Sequence, residues 1–191
     1  MSRAIFFISY CFFIPILGVF SIPGGMLWGF QIWMNVKSED KMKDPIYKEF
    51  KSTEIPEVKL DENSLVRVLA GSFRSKEGVV NNEKIMPLIL DVRIEKSLNF
   101  KEKVAEDKVV LVYVYKGKIQ IGSKEVKEKQ IAILDKGDEI DISSDGGGFL
   151  ILSGKATGEP IARGGPFVMN TKEEILEAFQ ELRDGSFPKS A

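Results

Sequence analysis

The sequence predicts an all-β fold, a sandwich or barrel of short strands followed by one C-terminal helix. Three observations carry that prediction. Short runs of β-branched and aromatic residues recur between Val58 and Gly158, and Gly, Asp, Asn and Ser separate them as turn signals. Helical periodicity with its own capping residues follows Thr171. A hydrophobic share of 43% in 191 residues is enough for one sizeable core.

In chain order, Met1–Pro23 stands apart. After Arg3 the residues from Ala4 to Phe20 carry no charge, close to the roughly 20 apolar residues that span a bilayer. A positive start, an apolar run and small residues near Val19 and Ser21 fit a secretory signal peptide. An uncleaved anchor is a second reading, opposed by Pro15 and Gly18 within the run. Translated non-coding sequence or a misplaced start is a third, because Phe, Ile, Leu, Ser, Tyr, Cys and Pro are the products of pyrimidine-rich codons. The three stay open. Gly29–Val36 then alternates Phe30, Ile32 and Met34 against Gln31, Trp33 and Asn35, which predicts a strand and leaves Trp28 and Trp33 exposed. Lys37–Pro56 is highly charged, contains Pro45 and Pro56, and reads as a linker with one helical turn.

Strands are predicted at Leu65–Gly71, Leu88–Ile94, Val109–Tyr115, Lys118–Ile121, Gln130–Leu134, Glu139–Ile142 and Phe149–Leu152. Lys116-Gly117 reads as a tight hairpin turn with Gly supplying the positive φ. Lys124–Lys129 reads as a solubilising mixed-charge turn. Gly146-Gly147-Gly148 reads as a flexible hairpin loop; it lacks the Lys-Ser/Thr pair and following helix of a phosphate cradle. Tyr113 and Tyr115 alternate with valines and either offers a phenol to a barrel ligand, though a core strand with satisfied hydroxyls is the simpler reading. In the final helix Thr171 and Glu174 form a T-x-x-E capping box. Ile175, Ala178, Phe179 and Leu182 make one apolar stripe expected to cover the outside of a barrel sheet, in this domain or in a partner, and Gly185 ends the helix.

Composition excludes several classes. Lys plus Arg is 27 and Asp plus Glu is 28, a net charge of −1, so no basic excess argues for nucleic acid. The single cysteine, Cys11, rules out an intrachain disulfide framework. The histidine count is 0, which removes the commonest ligand for transition metals and the commonest general base.

Two blocks resemble a known family. Gly29-Phe30-Gln31-Ile32-Trp33-Met34-Asn35 with Lys41-Met42-Lys43-Asp44-Pro45-Ile46-Tyr47 is similar to the GFQLW-x-N and KM-x-x-P-x-Y stretch of pirins. Gly158-Glu159-Pro160-Ile161, then Gly165-Pro166-Phe167-Val168-Met169-Asn170-Thr171, Glu173-Glu174-Ile175 and Ala178-Phe179 resemble the pirin GEP-I and GPFVMNT-x-EEI-x-x-AF ending. Arg163 departs from the His or Tyr common before GPFVMN. The resemblance implies two tandem cupins in the full family architecture, with iron held in the N-terminal one by three His and a Glu. The PHPHRGFE-like and HSE-like stretches that carry that site do not occur here. Leu134-Asp135-Lys136-Gly137-Asp138-Glu139-Ile140 resembles the P-x-G-D turn of the second cupin motif.

The implied fold is thus a single cupin, a double-stranded β-helix or jelly-roll barrel, with a C-terminal helix. The expected organisation is 1–23 hydrophobic segment, 24–57 remnant strand and linker, 58–165 C-terminal cupin, and 166–191 the GPFVMN motif and helix. Cupin metal sites use His and Glu from two motifs on neighbouring strands. In this chain Asn99, Phe100 or Lys101 stands where the first motif has imidazoles, and Ile140 and Ile142 follow the second. An oxygen-only site from Glu95, Glu102 and Asp141 is the remaining option, against the usual fate of such carboxylates as solvated surface groups. No catalytic, cofactor-binding or metal residue is assigned, and no cofactor is expected. The expectation is a non-catalytic pirin-like binding or regulatory module or a truncated pirin. One alternative is quercetin 2,3-dioxygenase chemistry if an iron domain is supplied; another is an exported or membrane-tethered cupin that binds a small molecule. Expected partners are a protein or a second copy, engaged through the remnant strand and the C-terminal helix, without direct nucleic-acid contact. A membrane enters only if residues 1–23 are genuine and uncleaved. The expected location is cytoplasmic, nuclear by family resemblance, and secreted or anchored if that segment is genuine.

Overall fold

A computed structural model describes residues 3–8, 20–22, 25–27, 29–43 and 46–187, and the side chains of 29–43 and 48–187 among them. Trp28 lies outside the described residues. The chain divides into two compact units, Met1–Ile5 with Glu49–Ala156, and Phe6–Lys48 with Thr157–Ala191.

Within the first unit, nine strands of the described residues form one curled sheet. They are β1 (Glu57–Lys59), β2 (Leu65–Ala70), β3 (Leu88–Ile94), β4 (Leu98–Lys103), β5 (Lys108–Ile121), β6 (Lys124–Lys127), β7 (Ile131–Ile133), β8 (Glu139–Ser144) and β9 (Gly147–Lys155). The order is β4-β8-β5-β9-β3-β2-β1, with β6 and β7 also paired to β5. This is the curled sheet of a cupin jelly roll, as the resemblance implies.

The long strand β5 makes the curl. Its first half pairs with β9 and β7, and its second half with β6 and β8, across a register shift between Val114 and Lys116. The Lys116-Gly117 hairpin is therefore corrected to the interior of one continuous strand, with the register shift falling at Tyr115. Gly117 does have a positive φ of 72°, but each side of it pairs with other strands rather than back on itself. Lys124–Lys127, read as a turn, is strand β6. Gly147 and Gly148, read as loop, open β9; a Cβ on Gly148 would strike the Tyr115 ring, so glycine there admits a close approach.

Alternation along the strands places Val66, Val68, Leu90, Val92, Val112, Val114, Ile140, Ile142, Phe149 and Ile151 in one core. Phe73 stacks on Phe100 at 5.7 Å between centroids, and Phe100 meets Phe149 edge-on at 6.1 Å. The barrel interior is thus filled with side chains.

In the second unit, the ribbon Ala162–Gly164 with Phe167–Met169 carries the C-terminal helix Lys172–Asp184. Ile175 and Ala178 are buried with Phe167 and Met169, while Phe179 packs edge-on against Phe167 at 5.1 Å. The sheet this stripe covers is that ribbon. Gly164 permits it, since a Cβ would stand 2.5 Å from the Ile175 side chain. Gly185 closes the helix at a φ of 71°. The predicted helical turn in the linker is the helix Ser38–Lys41.

Residues 29–37 hold no strand, against the alternation of Gly29–Val36. Alternation creates a two-faced segment, but a strand also needs an open edge to pair with. Asn35 instead bonds Lys41, and Val36 is buried. Trp33 is exposed at 43%. In the N-terminal region Arg3–Ile8 pairs with Ile46–Lys51, and Phe20–Ile22 with Gly25–Leu27. Among the described residues no helix is long and apolar enough to cross a membrane.

Candidate functional site

Two regions are chemically informative, one in each unit. In the barrel, β4 and β8 run antiparallel with Phe100 opposite Ile142 and Lys101 opposite Asp141. The alternation sends Leu98 and Phe100 inward with Ile140 and Ile142, and Asn99 and Lys101 outward. Lys101 Nζ stands 2.8 Å from Asp141 Oδ2 and 3.3 Å from Glu139 Oε1, both solvent-facing carboxylates. The hydrogen bond and charge of Lys101 hold the Asp141 carboxyl below its ordinary range. Asp141 is thus an outer-surface ion-pair partner rather than an inward ligand.

Glu102 shares the inward phase of Phe100 and is half-buried; burial pushes its carboxyl up, opposed by the charge of Arg74. That guanidinium carbon sits 5.2 Å from the Phe73 centroid. Glu95 is exposed, 4.0 Å from Lys116 Nζ. The three carboxylates Glu95, Glu102 and Asp141 do not converge, and no group of three or more His, Cys, Asp or Glu able to hold a metal occurs among the described residues. Fe, Mn, Ni or Cu does not fit this donor set: a barrel of Phe, Ile, Val and Leu offers no lone pair where the cupin motifs place imidazole.

On the opposite face of the same sheet, Tyr115 donates a 2.5 Å hydrogen bond to Asp91 Oδ1, and Arg93 donates to Asp91 Oδ2 at 2.8 Å. Asp91 is buried. Burial first, then the Asp91 carboxylate, pushes the Tyr115 phenol above its ordinary range. The hydroxyl is committed to Asp91, so Tyr115 offers no phenol to a barrel ligand. Tyr113 lies on the same outer phase.

The second region gathers the resembling motifs, none of whose residues was assigned a site from sequence. Glu159 accepts from the Ser38 N–H at 2.8 Å, the Ser38 hydroxyl at 3.2 Å and the Asn170 amide at 2.9 Å. These donors, the Ser38 N–H foremost, hold the Glu159 carboxyl below its usual range. Asn170 also donates to Pro160 O at 3.1 Å. Glu174 Oε2 accepts from the N–H groups of Asn170 at 2.7 Å and Thr171 at 3.0 Å, while Thr171 Oγ1 accepts from Glu174 N–H at 3.1 Å; the capping box is complete.

Lys41 is buried at 3% exposure and donates to Asn35 Oδ1 at 2.6 Å and to Val168 O at 3.1 Å. A lysine so placed stays charged only with such partners. Lys41, Met42 and Ser38 line a cavity of about 160 Å³ with Met169, Asn170, Glu174, Glu177, Ala178 and Glu181. Asn35, Lys41 and Val168 thus share one set of bonds, and Ser38, Glu159, Asn170 and Glu174 another. The sequence signal was there, since these are the unusual polar positions of the two blocks, but only the fold shows them sharing bonds. Arg163 is exposed on its ribbon strand.

A family model of the pirin C-terminal cupin domain matches residues 89–188. Among curated proteins, one named putative quercetin 2,3-dioxygenase from Thermoplasma acidophilum is 33% identical over 171 residues, 85% of this chain and 66% of that protein. A pirin-like protein of Caulobacter vibrioides is 31% identical over 165 residues, 85% of this chain and 60% of that one. Human pirin is 29% identical over 163 residues, covering 82% of this chain and 56% of its own. A crystal structure of quercetin 2,3-dioxygenase from Acinetobacter baumannii superposes with a TM-score of 0.77 at 33% identity, over 81% of this chain and 55% of that one. The chain thus spans between half and two thirds of the length of these relatives.

Proposed function

The chain belongs to the pirin family, and we propose that it acts as a non-catalytic, metal-free cupin module that works by binding a protein partner. The observation that supports this reading is the barrel itself. Phe73, Phe100, Phe149, Ile140 and Ile142, each at most 1% exposed, occupy the interior where a catalytic cupin holds metal and substrate. Dioxygenase chemistry would need both an open barrel and imidazole ligands; the chain contains 0 histidines, and among the described residues the barrel core is lined by apolar side chains. The names of the Thermoplasma and Acinetobacter relatives are the ground for the alternative, quercetin oxidation by an iron domain supplied elsewhere.

Partner contact is assigned to exposed apolar residues. In the second unit these are Phe30, Trp33 and Leu182, the part of the expected surface left exposed after Ile175 and Ala178 are found buried, together with Leu176, which is exposed on the same helix. The proposed location is the cytoplasm, extended to the nucleus by family resemblance.

Elemental analysis of the purified, dialysed protein tests the reading. The expected result is less than about a tenth of an equivalent of Fe, Mn, Ni or Cu. Stoichiometric iron, or quercetin turnover abolished by a chelator, would overturn it.

A further inference from the structure

The barrel core is completed by a ring from outside the barrel sheet, and we infer that the hairpin Ser72–Glu77 is a releasable plug over a slot that binds the planar ring of a small, uncharged aromatic molecule. Its two short strands, Ser72–Phe73 and Lys76–Glu77, pair with each other in a sheet separate from the nine-stranded one. Phe100 and Phe149 reach the interior from β4 and β9, whereas Phe73 reaches it from this hairpin. Phe73 is buried, and the other five residues of Ser72–Glu77 are exposed. Among the described residues no hydrogen bond or ion pair ties those six to the barrel strands. One aromatic side chain is therefore the anchor of the whole hairpin.

The seated hairpin is strained. Between the paired residues Phe73 and Lys76 the turn has two residues, and both are left-handed, Arg74 at a φ of 44° and Ser75 at 65°. A two-residue turn of this kind favours Asn-Gly, because other side chains resist positive φ. Such a backbone persists where its surroundings hold it, and the holding contacts here belong to the plug. Phe73 stacks on Phe100 at 5.7 Å with 15° between the planes, and the Arg74 guanidinium carbon lies 5.2 Å from the Phe73 centroid. The Arg74 charge also acts on Glu102, the half-buried carboxylate two residues beyond Phe100 on β4. Unseating Phe73 lets the turn relax, so strain and stacking oppose each other within one element. The roots bound the movement. A Cβ on Gly71 would stand 2.4 Å from Pro87 O and one on Gly78 2.6 Å from Ala70 N, and the Gly78 N–H donates to Gly71 O at 2.7 Å. The ligand class follows from what Phe73 leaves behind. Its place is bounded by the Phe100 face and by core side chains that carry no donor or acceptor, so it suits a flat apolar ring and rejects a charge.

Toluene, titrated into the full chain up to its solubility limit and followed by NMR and hydrogen exchange, is the probe. The wild-type is expected to bind it saturably, with an affinity reduced by the fraction of molecules whose plug is seated. Relative to their transfer from water to hydrocarbon, toluene should be preferred over non-planar methylcyclohexane about threefold or more. On binding, the amides of Phe73 and Lys76 should exchange faster, because a two-stranded hairpin without its anchor is marginal, while those of Leu90 and Val112 should not. Two neighbouring substitutions should move the affinity in opposite directions. Ser75→Gly takes strain out of the seated turn and should weaken toluene binding about fivefold, whereas Arg74→Ala takes the cation off the Phe73 ring and should tighten it about threefold. Circular dichroism verifies that each variant is folded. A wild-type chain that binds no toluene, hairpin amides that keep their protection when it binds, no preference over methylcyclohexane, or turn variants that leave the affinity unchanged or shift it the same way would each overturn the proposal.

Discussion

Replacing Phe100 by alanine separates a packed barrel from one that holds a ligand space. Phe100 is 1% exposed, stacked on Phe73 and edge-on to Phe149, within the main core cluster. Truncating a buried Phe to Ala typically costs about 3–5 kcal/mol, from lost transfer energy and the cavity left behind. The two ring contacts place this site toward the upper part of that range. In a unit of this size the loss lowers the melting temperature by about 10–25 °C. Urea unfolding followed by far-UV circular dichroism measures it, with an unchanged m-value showing that the change lies in stability. Lys101→Ala, one residue along β4 and facing solvent, is the control; its exposed ion pairs are screened by water and their loss should leave the melting curve nearly unchanged. If Phe100→Ala cost under about 1 kcal/mol, the interior would already contain space beside Phe100, and a solid barrel would be the wrong description.

Three further outcomes are expected. Asn170→Ala removes the amide that joins Glu159 and Pro160, and should destabilise the second unit by about 1–3 kcal/mol, with faster hydrogen exchange at Ser38 as the local readout. Tyr115→Phe leaves the buried Asp91 carboxylate short of one donor and should cost about 1–3 kcal/mol by denaturant melts. Because burial and Asp91 raise the folded-state pKa of Tyr115 above that of an ordinary phenol, about 10, its stabilising contribution is complete below that ordinary value and is lost as pH rises through the folded pKa. The wild-type should therefore lose stability at alkaline pH by a step that Tyr115→Phe lacks. Gly148→Ala drives a methyl group into the Tyr115 ring and should unfold at a distinctly lower temperature than Gly137→Ala, where a Cβ meets nothing within 4 Å.

How far the architecture could be read in advance depended on how local its cause was. The C-terminal helix was legible in full because its determinants lie within one turn of each other: the Thr171–Glu174 box, the stripe from Ile175, and Gly185 at the end. Strands β2 and β8 were legible because period-two burial is written directly in residue type, and β3 and β9 because a short continuous apolar run marks a strand buried on both faces. Strand β4 was missed, since Leu98–Lys103 has charged residues on its outer face and one strong apolar anchor, Phe100.

The sequence by itself determined the family, the β class and the poverty of metal ligands, because motif identity, alternation and a histidine count of 0 are properties of the chain alone. Tertiary structure decided which of Asn99, Phe100 and Lys101 faces inward, since strand phase is set by pairing with β8. It also decided that Lys116-Gly117 lies inside one continuous strand, that Gly29–Val36 is not a strand, and that Ser38 and Asn170 both donate to Glu159. Each of these depends on hydrogen bonds between residues remote in sequence, such as Ser38 and Glu159. A periodicity reports which face of a segment is apolar, but the partner that receives that face is supplied only when the chain closes on itself.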